Sequence, residues 1–178
     1  MNYIKTDIEG PVIIEPKVFG DERGYFFESF RADEFRREVA DIEFIQDNES
    51  LSARRGVLRG LHFQKGDAAQ AKLVRVVKGR VQDVAVDIRE GSPTFGKWVS
   101  VELSGENHRM IYIPRGFAHG FAVLEDNTIF QYKCDNYYAP AAEGAIRWND
   151  PTIGVEWMLA PEEIILSKKD AASPFLKP

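Results

Sequence analysis

The chain has 178 residues, about the size of one domain, and its 23 Lys and Arg against 28 Asp and Glu give a formal net charge of -5. This balance is unfavourable for a protein that binds bulk nucleic acid, so we expect no such partner. A hydrophobic fraction of 44% excludes a disordered chain. Since no run approaches the roughly 18 apolar residues of a membrane span and Cys134 is the single cysteine, we expect a cytoplasmic protein without membrane association.

Short alternating or β-branched runs recur along the chain and predict strands. They are Val12–Ile14, Tyr25–Phe30, Phe44–Gln46, Val57–Gln64, Lys72–Lys78, Val81–Ile88, Trp98–Leu103, Met110–Ile113, Phe117–Leu124 and Thr128–Cys134. Closely spaced short strands indicate an antiparallel sandwich or a small barrel. We expect a single domain over residues 1–178, with a loosely held tail from about 171 to 178.

Two segments predict short helices beside these strands. In Ala32–Ala40, Phe35 and Val39 lie four residues apart, and acidic residues occupy the first turn, as the helix dipole favours. Pro161–Leu166 is a second candidate. The predicted fold is therefore mainly β, with a few short flanking helices.

Polar residues interrupt the strand-like run Val57–Gln64. In a regular strand His62 shares a face with Leu58, and Arg59 points to the opposite face. Each residue alone has an ordinary explanation, His62 as a hydrogen-bonded core histidine and Arg59 as a solvated arginine. Both can line one pocket only if a bulge near Gly60 turns one of them.

The segment Pro114-x-Gly116-x-x-His119 resembles the second metal-binding motif of cupins, which indicates a jelly-roll fold. Cupins that hold a metal also carry a His-x-His pair, but the corresponding triplet here is His62-Phe63-Gln64. The third histidine, His108, lies in a turn-like segment, where we expect it to face solvent. A transition-metal centre is therefore disfavoured.

Three further side chains are candidates for a pocket inside the sheets. Alternation allows His119 and Tyr132 to point inward, although Tyr132 alone is well explained as a core aromatic residue with its hydroxyl hydrogen-bonded. Lys72 shares a face with Val74 and Val76. A lysine on a buried face needs a charged partner or a function, so Lys72 is the strongest of the three.

From Pro11 to Asp170 the chain resembles the dTDP-4-dehydrorhamnose 3,5-epimerases. The resemblance lies in the segments Asp21–Glu28, Gln46–Asn48, Gly56–Gln64, Gln70–Val74, Asp83–Asp87, Pro114–Phe121, Tyr137-Tyr138 and Ser167–Asp170. It implies a cupin jelly roll, a homodimer, and catalysis without a cofactor or a metal. The implied partner is a dTDP-linked 4-keto-6-deoxyhexose.

The resemblance also implies roles for individual residues. His62 is expected to be the base, oriented by Asp170, with Tyr132 as the acid on the opposite face and Lys72 stabilising the enolate oxygen. The other matched positions are Arg59 as a diphosphate anchor, His119 in the sugar pocket, Tyr138 against thymine, and Arg23, Glu28, Gln46, Asp47, Asn48, Glu143 and Lys169 around the nucleotide and sugar.

The expected reaction inverts C3 and C5 of dTDP-4-dehydro-6-deoxy-D-glucose to give dTDP-4-dehydro-L-rhamnose. Three alternatives stay open: an epimerase that inverts only C3 or only C5, a metal-dependent cupin oxygenase or isomerase, and a sugar-binding cupin without activity. Val12–Ile14 is a candidate for pairing with a partner subunit. Arg23 would then complete the neighbour's site.

Overall fold

The computed structural model describes residues 1–176 and is mainly β, with short strands and few helical turns. In chain order the strands are β1 (Asn2–Lys5), β2 (Val12–Glu15), β3 (Phe19–Asp21), β4 (Gly24–Phe26), β5 (Gln46–Ser52), β6 (Leu58–Gln64), β7 (Lys72–Lys78), β8 (Arg80–Asp87), β9 (Trp98–Ser104), β10 (Met110–Ile113), β11 (Phe117–Val123), β12 (Thr128–Cys134) and β13 (Glu143–Ala145). The helices are α1 (Ala32–Glu38) and α2 (Lys168–Ala171), with 3-10 turns at Gly66–Ala68, Pro140–Ala142 and Pro161–Glu163.

Two antiparallel sheets form the body of the protein. One has the order β1-β2-β10-β7-β12-β5, the other has the order β13-β6-β11-β8-β9, and β3 and β4 form a separate hairpin. Apolar side chains from both sheets share one core, among them Val74 and Phe130 from the first and Leu103 and Phe121 from the second. Burying a side chain such as Phe130 stabilises the fold by about 1.5–3 kcal/mol. The predicted mainly β, cupin-like fold with short flanking helices is confirmed.

The strand predictions succeed where the apolar pattern is strong. Lys72–Lys78, Met110–Ile113 and Thr128–Cys134 have the predicted bounds. The prediction Phe44–Gln46 was wrong, since β5 begins at Gln46 and continues through polar residues to Ser52. It exists because its backbone pairs with β12 along its whole length.

Three local expectations need correction. Helix α1 ends at Glu38, two residues before the predicted Ala40. The segment Val12–Ile14 is not a free edge, because β2 lies between β1 and β10 of the same chain. His108 is half-buried, and its ring lies 4.5 Å from that of Tyr25 and 4.9 Å from that of Phe27 between centroids.

The described part of the C-terminal tail makes contacts with the body of the protein. The backbone N–H of Leu176 donates to Asp150 Oδ2 at 2.6 Å, and the N–H of Arg147 donates to the Pro174 carbonyl at 2.8 Å. Residues 171–176 thus pack onto the sheet region, whereas Lys177 and Pro178 lie outside the described residues. Within residues 1–176, no helix has the length and apolar character needed to cross a membrane.

Candidate active site

A cavity of about 320 Å³ lies between the two sheets and is closed on one side by α2. Strands of both sheets and the N-terminal turn of α2 contribute its walls. Seven of the predicted site residues line it: Arg59, His62, Lys72, His119, Tyr132, Lys169 and Asp170. Further lining residues are Glu49, Ser50, Phe121, Phe130 and Ser167.

A bulge in β6 brings Arg59 and His62 to the same cavity. His62 pairs with His119 of β11, but Arg59 pairs with Phe121, so β6 contains one residue more than β11 between these points. Gly60 lies in this interval with a φ of 130°, and a Cβ there would lie 2.5 Å from the Cα of Gly120. Only glycine fits this backbone and this close approach. The bulge that the sequence requires near Gly60 is confirmed.

His62 is paired with a buried carboxylate. Its Nε2 lies 2.6 Å from Oδ1 of Asp170, whose exposed fraction is 4%. Burial lowers the pKa of His62, and the charge and hydrogen bond of Asp170 oppose this effect. The imidazole is therefore mainly neutral at pH 7. Within residues 1–176 its Nδ1 makes no hydrogen bond, so that nitrogen is free to accept a proton.

Lys72 faces the same space without a carboxylate in contact. Within the described chain no Asp or Glu oxygen lies within 4.0 Å of its Nζ, which lies 5.7 Å from the centroid of the Tyr132 ring. Burial lowers the pKa of Lys72, and the more distant Asp83 and Glu143 partly oppose it. Burial also raises the pKa of Tyr132, so its phenol stays protonated at pH 7. Lys72 and Tyr132 thus bring an amine and a protonated phenol to the cavity.

A second histidine–carboxylate pair lies deeper in the cavity. His119 Nε2 lies 2.9 Å from Oδ2 and 3.1 Å from Oδ1 of Asp83, which is fully buried on β8. Sequence reasoning assigned no role to Asp83. The available signal was an acidic residue within the apolar alternation Val81–Val86, because a buried charge requires a partner.

Sequence reasoning also missed Ser167 as a site residue. Its hydroxyl donates to Asp170 Oδ2 at 2.8 Å and accepts from the Asp170 N–H at 3.0 Å. The signal was the spacing Ser167-x-x-Asp170, which resembles a capping box at the start of a helix.

Four predicted residues form a connected group around Lys169. Its Nζ lies 2.6 Å from Glu143 Oε2, which also accepts from the Tyr138 hydroxyl at 3.3 Å. The Tyr138 N–H donates to Gln46 Oε1 at 3.0 Å. The Tyr138 ring is more than half exposed, so one face is available for stacking.

Asp47 and Asn48 line a neighbouring cavity of about 360 Å³, with which the first cavity shares Tyr132 and Glu49. Asp47 binds Lys133 Nζ at 3.0 Å.

Arg23 and Glu28 are not brought to the His62 cavity in the single chain. The guanidinium of Arg23 pairs with Asp21 at the exposed end of the β3–β4 hairpin. Glu28 is exposed beyond the hairpin. Their expected contacts with substrate stay predictions.

The histidines are poorly placed to bind a metal ion together. Within residues 1–176 no group of three or more His, Cys, Asp or Glu side chains has suitable geometry. The Nε2 atoms of His62 and His119 each face a carboxylate at hydrogen-bond distance.

The cupin-like sandwich gathers an oriented imidazole, an ammonium group and a phenol in one cavity. This combination is typical of enzymes that use acid–base catalysis. The family model described as dTDP-4-dehydrorhamnose 3,5-epimerase matches residues 5–178. This chain belongs to that family, and it is an isomerase of the epimerase type.

Relatives and solved structures agree with this assignment. The dTDP-4-dehydrorhamnose 3,5-epimerase of Salmonella typhimurium is 56% identical over 99% of this chain and 96% of its own. The Legionella pneumophila dTDP-6-deoxy-D-glucose-3,5-epimerase, solved in complex with dTDP-4-keto-L-rhamnose, has a TM-score of 0.94, 52% identity, and coverage of 98% and 92%. A 3'-monoepimerase from Streptomyces bikiniensis in complex with dTDP-quinovose has a TM-score of 0.87, 35% identity, and coverage of 97% and 86%.

Proposed function

We propose that this chain inverts C3 and C5 of dTDP-4-dehydro-6-deoxy-D-glucose and forms dTDP-4-dehydro-L-rhamnose through enolate intermediates. The observation that carries the proposal is the convergence of His62, Lys72 and Tyr132 on one cavity. Each supplies a different requirement of proton exchange beside a ketone. The name and bound ligand of the Legionella relative support the same substrate.

His62 is the base in this proposal. A C–H bond next to the C4 ketone is weakly acidic, so its removal needs a neutral base close to its working pKa. The free ring nitrogen of His62 accepts the proton and becomes an imidazolium. Asp170, 2.6 Å from the other nitrogen, stabilises that cation and fixes the ring.

Lys72 and Tyr132 complete the proton exchange. The negative charge that develops on the C4 oxygen is stabilised by the Lys72 ammonium. Tyr132 then donates its proton to the carbon from the opposite face, which inverts the centre and leaves a phenolate. The net reaction returns both groups to their starting states after proton exchange with solvent. A small shift of the sugar places the second carbon over the same groups.

Cations near the cavity support recognition of the diphosphate. Arg59 and Lys169 line the cavity that holds His62. A guanidinium group binds phosphate oxygens in a bidentate manner, so Arg59 is the stronger anchor. We assign the exposed Tyr138 ring to stacking on thymine. Binding energy from the nucleotide then positions the sugar.

Proton NMR in deuterium oxide with the 4-keto-6-deoxyglucose nucleotide tests this function. Deuterium at both C3 and C5 identifies the double epimerase, and His62→Ala is expected to abolish both labels. Full turnover by His62→Ala would overturn the assignment of the base.

The second candidate is an epimerase specific for one carbon, which the likeness to the Streptomyces bikiniensis monoepimerase favours. It predicts deuterium at one carbon only. A sugar-binding protein without activity would bind dTDP and produce no exchange. Loss of activity after treatment with a chelator would instead indicate a metal enzyme.

We further propose that the protein is a homodimer in which the β3–β4 hairpin contacts the partner. The hairpin exposes large apolar rings, including Phe19, Tyr25 and Phe26, the last with an exposed fraction of 67%. A patch of this kind marks an interaction surface. Because Arg23 lies on the same hairpin and away from its own His62 cavity, we place it in the partner's site.

Mixed dimers test the placement of Arg23. Arg23→Ala and His62→Ala are each expected to impair turnover. In a mixed dimer the Arg23→Ala subunit keeps His62 and receives Arg23 from its partner, so mixing should restore activity. No restoration in verified mixed dimers would place Arg23 in its own subunit's site.

The proposal includes a single jelly-roll domain that works without a metal or a cofactor. The two-sheet order supports the jelly roll, and the pairing of both cavity imidazoles with carboxylates supports the use of side chains alone. A cytoplasmic location is proposed because the one thiol, Cys134, is buried and a nucleotide sugar is an intracellular substrate.

A further inference from the structure

Ser167 extends the His62–Asp170 pair by one member. The carboxylate of Asp170 has its Oδ1 2.6 Å from His62 Nε2 and accepts the Ser167 hydroxyl on Oδ2 at 2.8 Å. Both oxygens are therefore engaged. Within residues 1–176 Ser167 is the only side chain hydrogen-bonded to Oδ2.

The backbone around Asp170 does not hold this carboxylate by itself. Helix α2 comprises only Lys168–Ala171, and so short a helix has little stability without tertiary contacts. Arg147 fixes its far side by donating to the carbonyls of Ser173 at 3.0 Å and Ala171 at 3.2 Å. These bonds position the helix axis, whereas the side-chain torsions of Asp170 remain to be fixed.

We propose that Ser167 is a positioning residue for the epimerisation, because its hydroxyl holds the Asp170 carboxylate in the orientation that directs Oδ1 at His62. This inference rests on the proposed function. Asp170 is almost fully buried, so water is a poor substitute for the serine donor. A carboxylate that turns away leaves the imidazole less well oriented as a base and its cation less stabilised.

Two other roles for Ser167 make different predictions. Its Oγ also accepts from the Asp170 N–H and thereby caps α2. It lines the cavity as well, so a direct contact with substrate is the other alternative. Loss of a helix cap lowers the stability of the protein, whereas loss of a substrate contact raises KM.

Three substitutions separate these roles. Ser167→Ala removes both the cap and the donor to Asp170. Ser167→Gly removes the donor but retains most of the capping stability, since glycine is nearly as favourable at this position. Ser167→Thr keeps a hydroxyl and is the rescue variant. Each is compared with wild type in kcat, KM, the melting temperature and the pH profile of kcat/KM.

We expect Ser167→Ala and Ser167→Gly to lower kcat by about ten-fold, the effect of a lost hydrogen bond to a charged group, with KM within about two-fold of wild type. Ser167→Thr should restore most of the activity. Ser167→Gly should keep a melting temperature close to that of wild type.

The pH profile gives a readout that a purely structural role would not change. The charged groups facing His62 are Asp170 on α2, Lys72 on β7 and Glu143 on β13. Asp170 and Glu143 raise the pKa of His62, and Lys72 lowers it. A misdirected Asp170 raises it less, so the acid limb of kcat/KM should move to lower pH in Ser167→Ala and Ser167→Gly but not in Ser167→Thr.

Several results would overturn the positioning role. A wild-type kcat in Ser167→Gly would show that Ser167 acts only as a helix cap. A raised KM with unchanged kcat would show that Ser167 contacts the substrate. An unmoved acid limb with lowered kcat would also contradict it. Absence of proton exchange in the wild-type enzyme would instead refute the proposed function.

Discussion

Replacement of Lys72 by methionine separates its function from its effect on stability. The two side chains have similar length, so Lys72→Met keeps most of the packing against β12 while it removes the charge. The proposed enolate oxygen would lie about 3 Å from the ammonium, where two unit charges interact by about 5.5 kcal/mol at an effective dielectric constant of about 20. Removal of a single donor of this kind lowers kcat by about 10²–10³.

The same change should not destabilise the protein. The Lys72 ammonium has no carboxylate within 4.0 Å among residues 1–176, and burial lowers its pKa. The folded protein therefore disfavours the charge at pH 7, and an uncharged side chain of similar size removes that cost. We expect the melting temperature of Lys72→Met to equal or exceed that of wild type.

Turnover and the rate of deuterium incorporation at C3 and C5 are measured by NMR, and stability is measured by thermal unfolding. Lys78→Met is the matched control, because Lys78 is an exposed lysine at the other end of β7. It should leave kcat within about two-fold of wild type. Turnover of Lys72→Met within ten-fold of wild type would refute the electrostatic role, and a clearly lowered melting temperature would refute the argument from burial.

Three further substitutions test the other groups. Tyr132→Phe should retain measurable deuterium exchange but lose about 10²-fold in inversion, as for a lost general acid; equal losses of both would assign Tyr132 another role. Arg59→Ala should weaken dTDP binding by at least about ten-fold while kcat at saturation changes less, and unchanged affinity in calorimetry would reject the anchor. Asp170→Asn removes a group that raises the pKa of His62, so the acid limb of kcat/KM should move to lower pH; a shift to higher pH would contradict the pairing.

Local sequence patterns were sufficient for strands whose own residues are mainly apolar or β-branched. In β7 the buried residues are Leu73, Val74 and Val76, and in β12 the residues Phe130 and Cys134 are buried on one face, so the sequence pattern predicted the bounds of both strands. Strand β5 has the sequence QDNESLS, in which polar side chains hide the alternation. Its pairing with β12 supplies the backbone hydrogen bonds that its composition does not predict. Long-range pairing therefore decides the strand, and a single sequence does not contain that information.

The candidate site likewise contains some residues that local sequence patterns identify and others that they do not. The polar residues of β6 and β7 were recognisable because they interrupt buried strands, and the need for a bulge at Gly60 followed from their alternation. The carboxylate partners were not recognisable in this way. Asp170 follows His62 by 108 positions, and its role came only from the family resemblance. Asp83 reaches His119 across the pairing of β8 with β11, which local patterns do not give.

The two ends of the His62–Asp170 pair differ in how firmly the fold holds them. His62 belongs to the central part of a strand that is paired on both sides, by β11 and by β13. Asp170 belongs to a four-residue helix near the C-terminus, held by Ser167 and Arg147. The base is thus fixed by the sheet, and its orienting carboxylate is fixed by a few hydrogen bonds. Variation in orientation of the pair should therefore arise mainly from α2, which makes its side-chain contacts the sensitive part of the catalytic geometry.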